Sequence, residues 1–192
     1  MQRILIINGH PDKESLCSQL ALSYKQGVET TTAECMLVNL SDLQFNPILT
    51  NGYRKRTELE PDLLMMQREI LKATHIVLVY PNWWGTYPAL LKGFFDRTFL
   101  PGYAFSYNEN SVMVNKLLKG KTARLIVTMD SPKWYYSLFL GSPGHKSMKK
   151  GILEFSGIKP VAVTSFGPVR NSAEAVRKSW IARANQLGRE LK

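Results

Sequence analysis

Apolar and polar positions along this chain follow two rhythms that take turns. Five short aliphatic runs, Arg3–Ile7, Met36–Leu40, His75–Tyr80, Ala123–Met129 and Val161–Phe166, read as strands. Ile76 to Tyr80 is the longest unbroken apolar run, as expected of a strand covered on both faces. Between the runs the spacing changes to three and four. Ser15 is placed to cap a helix whose inner face is Cys17, Leu20, Ala21, Tyr24 and Val28. Pro61 opens a second helix to about Lys72, and Pro88 a third through Leu91, Phe94 and Phe95. His145–Phe155 reads as a fourth. Asn171 with Glu174 resembles a capping box before a fifth, marked by Ala173, Val176, Trp180, Ala184, Leu187 and Leu191. Five strands alternating with five helices predict an α/β layer sandwich with a parallel, doubly wound sheet. No repeat, low-complexity stretch or Gly/Ser/Pro-rich linker divides residues 1–192, which are expected to form a single domain.

Composition narrows the class. With 44% hydrophobic and 10% aromatic residues, the chain has ample material for a core, which excludes disorder. No apolar run approaches the roughly 18 residues of a membrane helix, so no membrane span is expected. Met1 to Asn8 lacks a signal-peptide layout, and two cysteines are too few for a disulfide scaffold. A cytoplasmic location is the expectation. Three histidines without partners at ligand spacing argue against a metal site. The formal net charge of +10 is one-sided: residues 1–115 hold ten bases and eleven acids, residues 116–192 fifteen bases and four acids. Such a field attracts anions, although a merely solvated basic face explains it equally well. Nucleic acid is not the expected partner, because no recognition motif accompanies the charge.

In open α/β sheets ligands bind beyond the carboxyl ends of the strands, at the switch point. The least generic segments lie there. Asn8-Gly9-His10-Pro11 to Ser18 follows strand one, Pro81-Asn82-Trp83-Trp84-Gly85 follows strand three, and Thr128-Met129-Asp130-Ser131 follows strand four. The first contains no G-x-G-x-x-G, which weakens a direct dinucleotide reading and favours the flavodoxin-like strand order 2-1-3-4-5. Its hydroxyls and helix N-terminus suit a phosphate held by His10, Ser15 and Ser18, while Ser15 taken alone reads better as an ordinary N-cap. Two tryptophans in a Pro/Gly-bounded loop suit a flat heterocycle. Tyr136 and His145 are the nearby candidates for proton donation or charge stabilisation. Gly120-Lys121-Thr122 precedes its strand and is no P-loop, and Gly141-Ser142-Pro143-Gly144 is no nucleophile elbow. Cys17 reads as a small buried cysteine. The site is built to hold a ligand that does the chemistry.

Asn8-Gly9-His10-Pro11 through Ser15, Tyr80-Pro81-Asn82-Trp83-Trp84 and Pro88-Ala89-Leu90-Leu91-Lys92-Gly93-Phe94-Phe95-Asp96-Arg97 resemble the flavodoxin-like NAD(P)H:quinone oxidoreductase family. So do Gly102 to Phe105, Trp134 to Leu138 and Leu153 to Gly157, so the resemblance runs nearly end to end. It implies non-covalent FMN, with FAD the alternative; the shorter chain favours FMN. It also implies a ping-pong cycle in which NAD(P)H gives hydride to the flavin and a quinone-type acceptor then takes the electrons. By the same resemblance His10, Ser15, Leu16, Cys17 and Ser18 would cradle the phosphate and ribityl chain. Pro81, Asn82, Trp83, Trp84 and Gly85 would line the ring system, and Thr128, Met129, Asp130 and Ser131 would meet its pyrimidine side. Tyr136 and His145 match the family pair that stabilises developing charge. A homodimer is implied, with Tyr103, Phe105, Tyr107, Trp134 and Phe139 as interface material.

The chain departs from the family at Leu16-Cys17, where Phe-Asn is usual, and at Asp130-Ser131, where a glycine pair is common. Other readings of the same fold are an electron-carrier flavodoxin, which a basic chain fits poorly, and a regulatory partner such as an ancillary subunit of an ion-efflux system.

Overall fold

The computed structural model describes residues 1–108 and 111–191. Five parallel strands form the central sheet: β1 (Arg3–Asn8), β2 (Glu34–Asn39), β3 (His75–Pro81), β6 (Thr122–Thr128) and β7 (Val161–Phe166). Their spatial order is β2-β1-β3-β6-β7, the expected 2-1-3-4-5 when only parallel strands are counted. The pleat sorts β1 by parity. Leu5 and Ile7 enter one core with α2 (Pro61–Lys72) and α3 (Ala89–Thr98). Ile4 and Ile6 enter the other, against α1 (Leu16–Val28) and α7 (Glu174–Arg189). β3 is buried along its whole length, which explains its unbroken apolar run.

The α1–α7 layer is held unusually close. A Cβ built on Gly188 would overlap the Tyr24 carbonyl oxygen, and one on Gly27 the Asn185 carbonyl oxygen. Only hydrogen at these two positions lets the helices meet backbone to backbone.

The amino end of the sheet is closed by two buried polar groups. Lys121, 9% exposed, donates through Nζ to the carbonyls of Leu71 (2.6 Å) and Ala73 (2.7 Å), satisfying the carboxyl end of α2. The Gly-Lys-Thr stretch that mimics a P-loop is therefore structural. His75 bonds Thr122 Oγ1 through Nδ1 at 2.6 Å.

Several elements differ from the sequence expectation. Phe105–Asn108 and Ser111–Lys116 pair as an antiparallel hairpin, β4–β5, whose strands are too short to show a period. Lys133–Leu138 is a short helix, α4, inside what reads as a loop. The fourth expected helix begins earlier, at Pro143, and is continuous through α5 (Pro143–Lys146), a π-helical stretch (Ser147–Leu153) and α6 (Glu154–Ser156). The wider π turn serves the five-residue spacing of Met148 and Leu153, both fully buried. The Asn171–Glu174 capping box does not form: Ala173 is the N-cap, and Arg177 reaches back to the Ser172 carbonyl with Nη2 at 2.9 Å. Tyr103 and Phe105, expected at an interface, are instead packed inward, Tyr103 donating its hydroxyl to Gln67 O. Tyr107, Trp134 and Phe139 remain exposed. Among the described residues no helix is long and apolar enough to cross a membrane.

Candidate active site

Three loops leave the carboxyl ends of β1, β3 and β6 side by side and enclose an open cleft of about 180 Å³. His10, Ser15, Leu16 and Cys17 form one wall, Pro81, Asn82 and Trp83 a second, and Thr128, Met129 and Asp130 a third. Ten of the residues singled out in the sequence are thus brought together. Val169, from the loop after β7, completes the lining.

The first wall is organised from behind by Asn8, which is fully buried at the end of β1. Its Nδ2 donates to Ser18 Oγ (2.9 Å) and Asn39 Oδ1 (3.1 Å), and its Oδ1 accepts the His10 amide (3.1 Å). His10 Nδ1 accepts the Asp12 amide at 3.0 Å, so the neutral ring carries its hydrogen on Nε2. Burial holds the His10 pKa below the usual histidine range, against the upward pull of Asp12. His10 is therefore a neutral N–H donor.

Ser15 is an N-cap and a cleft residue at once. Its Oγ accepts the Ser18 amide at 3.2 Å and lies 3.0 Å from Ser18 Oγ. Leu16 and Cys17 occupy the first helical turn, where backbone amides have no intrahelical acceptor. Ser18 itself stands behind the lining, its Oγ donating to Asp12 O. Cys17 is 1% exposed with Sγ 3.3 Å from Thr128 Oγ1, and burial pushes its thiol pKa up to about 12. It is the buried cysteine expected, tying α1 to the end of β6.

The second wall corrects the sequence reading. Trp83 and Thr86 exchange two backbone hydrogen bonds of 2.9 Å, and the residues between them, Trp84 and Gly85, both have positive φ (52° and 78°). This is a two-residue turn of the primed kind. It aims neighbouring side chains apart. Trp83 meets the His10 ring edge-on at 5.4 Å in the cleft, while Trp84 projects fully into solvent. Trp84 does not line the cleft, and neither do Gly85 and Ser131.

Tyr136 and His145 lie in a neighbouring hollow of about 390 Å³ that shares Met129 with the cleft. Their rings touch edge-on at 5.0 Å. The Tyr136 hydroxyl, however, is committed. It donates to Gly85 O (2.9 Å) and accepts the Gly144 amide (2.9 Å), with the residue 2% exposed. It fastens the tryptophan turn to the start of α5, and Gly144 fits there because a Cβ would stand 2.6 Å from Gly85 O. Burial raises the Tyr136 pKa, opposed by the backbone bonds of Gly144 and His145. His145 Nε2 is 3.4 Å from Ser165 Oγ, and burial lowers its pKa.

On the third wall, Asp130 Oδ1 accepts the Arg170 amide at 2.8 Å and Oδ2 lies 3.9 Å from Arg170 Nε. The loop after β7 was not singled out in the sequence. Val169 and Arg170 were nevertheless findable, since that loop also leaves a carboxyl end of the sheet.

Comparison with known proteins agrees with the fold. The family model described as flavodoxin-like fold matches residues 2–189. A curated relative from Haemophilus influenzae, named an uncharacterized NAD(P)H oxidoreductase, is 30% identical over 95% of this chain and 92% of its own. Among solved structures, an NAD(P)H:quinone oxidoreductase from Methanothermobacter marburgensis superposes with a TM-score of 0.83, at 22% identity over 100% of this chain and 99% of the other. An FMN-dependent NADH-azoreductase from Bacillus anthracis, solved in complex with FMN, has a TM-score of 0.76 at 21% identity, over 100% of this chain and 99% of the other. From the strand order, the loops gathered at the switch point and the family match together, the chain belongs to the flavodoxin-like family, among relatives named as NAD(P)H oxidoreductases and quinone reductases.

Proposed function

We propose that the protein is an FMN-dependent oxidoreductase that passes two electrons from NAD(P)H to a quinone or similar small acceptor, donor and acceptor using the cleft in turn. The observation that carries this reading is the pairing, in one cleft, of hydrogen-bond donors with flat apolar surface. The lining brings together the Ser15 hydroxyl, the His10 Nε2–H and the first-turn amides of α1, donors suited to a phosphate, while its one carboxylate among the described residues, Asp130, is engaged by Arg170. Trp83, Pro81 and Met129 give the same cleft flat, apolar surface that suits a ring system. The residues present therefore fit a flavin mononucleotide. A bound flavin supplies the capacity to accept hydride from a reduced nicotinamide and to reduce a quinone.

The protein's own residues have other tasks. Asn8 fixes the first wall, so that the His10 donor is in place before any ligand arrives. Trp83 packs on His10 and shields the cleft from water on that side. Asn82 is held by its amide to Thr128 O at 2.7 Å, which locks the second and third walls together. Tyr136 positions the tryptophan turn rather than presenting its hydroxyl.

The reading is tested by the visible spectrum of protein incubated with FMN and separated from excess. Retained flavin bands that bleach on anaerobic addition of NADPH and return with menadione are expected. Trp83→Ala should weaken FMN retention and Trp84→Ala should not. Protein that takes up neither FMN nor FAD refutes the proposal.

A further inference from the structure

The hollow beside the cleft is larger than the cleft itself and has a distinct chemistry. Its polar wall is made of Lys133, Ser137, Ser142, His145 and Ser165, and none of the described residues lining it is acidic. Lys133 forms no ion pair among the described residues, and neither does Lys146, the next base along the rim, whose Nζ sits over Gly141. Elsewhere on the basic half, Lys149, Lys178 and Arg183 each face a glutamate. The nearest carboxylate on the shared wall, Asp130, is engaged by Arg170. A concavity with hydroxyl donors, a lysine without an ion pair and no acid among the described residues lining it is short of one negative charge.

We propose that this hollow is an anion-binding subsite that selects reaction partners carrying a phosphate, sulfonate or carboxylate group. The inference rests on the oxidoreductase reading and sharpens its substrate class. Because Met129 belongs to both hollows, a molecule whose ring lies in the cleft reaches the subsite with a charged substituent. The same chemistry is available from two sources, the 2′-phosphate of NADPH or an acidic group on the acceptor. Lys133 is the residue expected to discriminate, since Tyr136 has no free hydroxyl to contribute.

The experiment compares Lys133→Gln with Lys159→Gln, which removes the same charge at the opposite end of β7. With FMN-loaded protein, kcat/KM is measured for 1,2-naphthoquinone-4-sulfonate against menadione, and for NADPH against NADH. Loss of one charge-assisted contact should lower one of these ratios about five- to tenfold in Lys133→Gln and leave both unchanged in Lys159→Gln. A fall in the quinone ratio assigns the subsite to the acceptor, a fall in the nucleotide ratio to the donor. Two unmoved ratios overturn the proposal. A binding arm is independent of turnover: calorimetric titration with naphthalene-2-sulfonate and with neutral 2-naphthol. The wild type should prefer the sulfonate and Lys133→Gln should lose that preference; equal affinities in the wild type overturn the subsite. Failure to reduce menadione at all counts against the oxidoreductase reading, and the titration still decides the subsite.

Discussion

Replacing Tyr136 by Phe separates two roles that the sequence leaves merged, proton donor and positioning group. The substitution keeps the ring, its packing on His145 and its place in the core, and removes only the hydroxyl. That oxygen makes two bonds of 2.9 Å, to Gly85 O and from the Gly144 amide, in a residue 2% exposed. Each abandoned buried backbone group costs about 1–3 kcal/mol. Gly144 is buried and Gly85 half-buried, so the total loss should be about 2–4 kcal/mol. For a chain of this length that lowers Tm by roughly 5–12 °C. Thermal unfolding followed by circular dichroism reads the shift, and FMN titration should show weaker binding as the tryptophan turn loosens. A variant with wild-type Tm and FMN affinity but a reduced kcat would refute the positioning role and return the hydroxyl to the reacting partners.

Two further outcomes test the scaffold. His75 is 7% exposed, and burial, aided by Arg124, lowers its pKa to about 4. The unfolded chain binds a proton near pH 6.5 that the fold refuses, so stability is full above that pH and falls by up to about 3 kcal/mol as the pH drops towards 4. Urea unfolding of wild type and His75→Gln at pH 7 and 4.5 checks this, and equal pH dependence in the two would contradict it. Gly188→Ala should lose a net 1–2 kcal/mol or so, the overlap with the Tyr24 carbonyl outweighing the better helix propensity of alanine. Chemical denaturation decides it, and a more stable variant would mean that the α1–α7 approach is looser than the backbone geometry states.

Much of the fold was legible because burial on both faces leaves a plain mark. The run from Ile76 to Tyr80 and the helical spacing around Leu20 and Tyr24 each had one reading, the parallel sheet followed from alternation, and the missing Gly-rich fingerprint after β1 pointed to the strand order. The hairpin of β4 and β5 was not legible, since Phe105 is the single buried residue in a four-residue strand. In the site, loops leaving carboxyl ends were found by position, but the direction of a side chain within a loop depends on φ. Nothing in the string Trp83-Trp84-Gly85 announces that both central residues of the turn adopt positive φ and so send Trp84 outward. The capping reading at Asn171 failed because the helix starts two residues later than the pattern requires: Ala173 is the N-cap, which puts Glu174 at the first helical position instead of the third.

The state of the two thiols bears on the chemistry proposed for the cleft. Quinones are electrophiles that arylate thiolates, and a protein that handles them is exposed to its own substrate. Cys17 forms part of the cleft wall, yet burial pushes its pKa up to about 12, and that of Cys35 up to about 11. At neutral pH Cys17 is therefore held as the thiol rather than the nucleophilic thiolate. If quinones are the acceptors, as proposed, the cleft meets an alkylating guest with a protonated sulfur, and protection comes from protonation rather than from removing cysteine from the site.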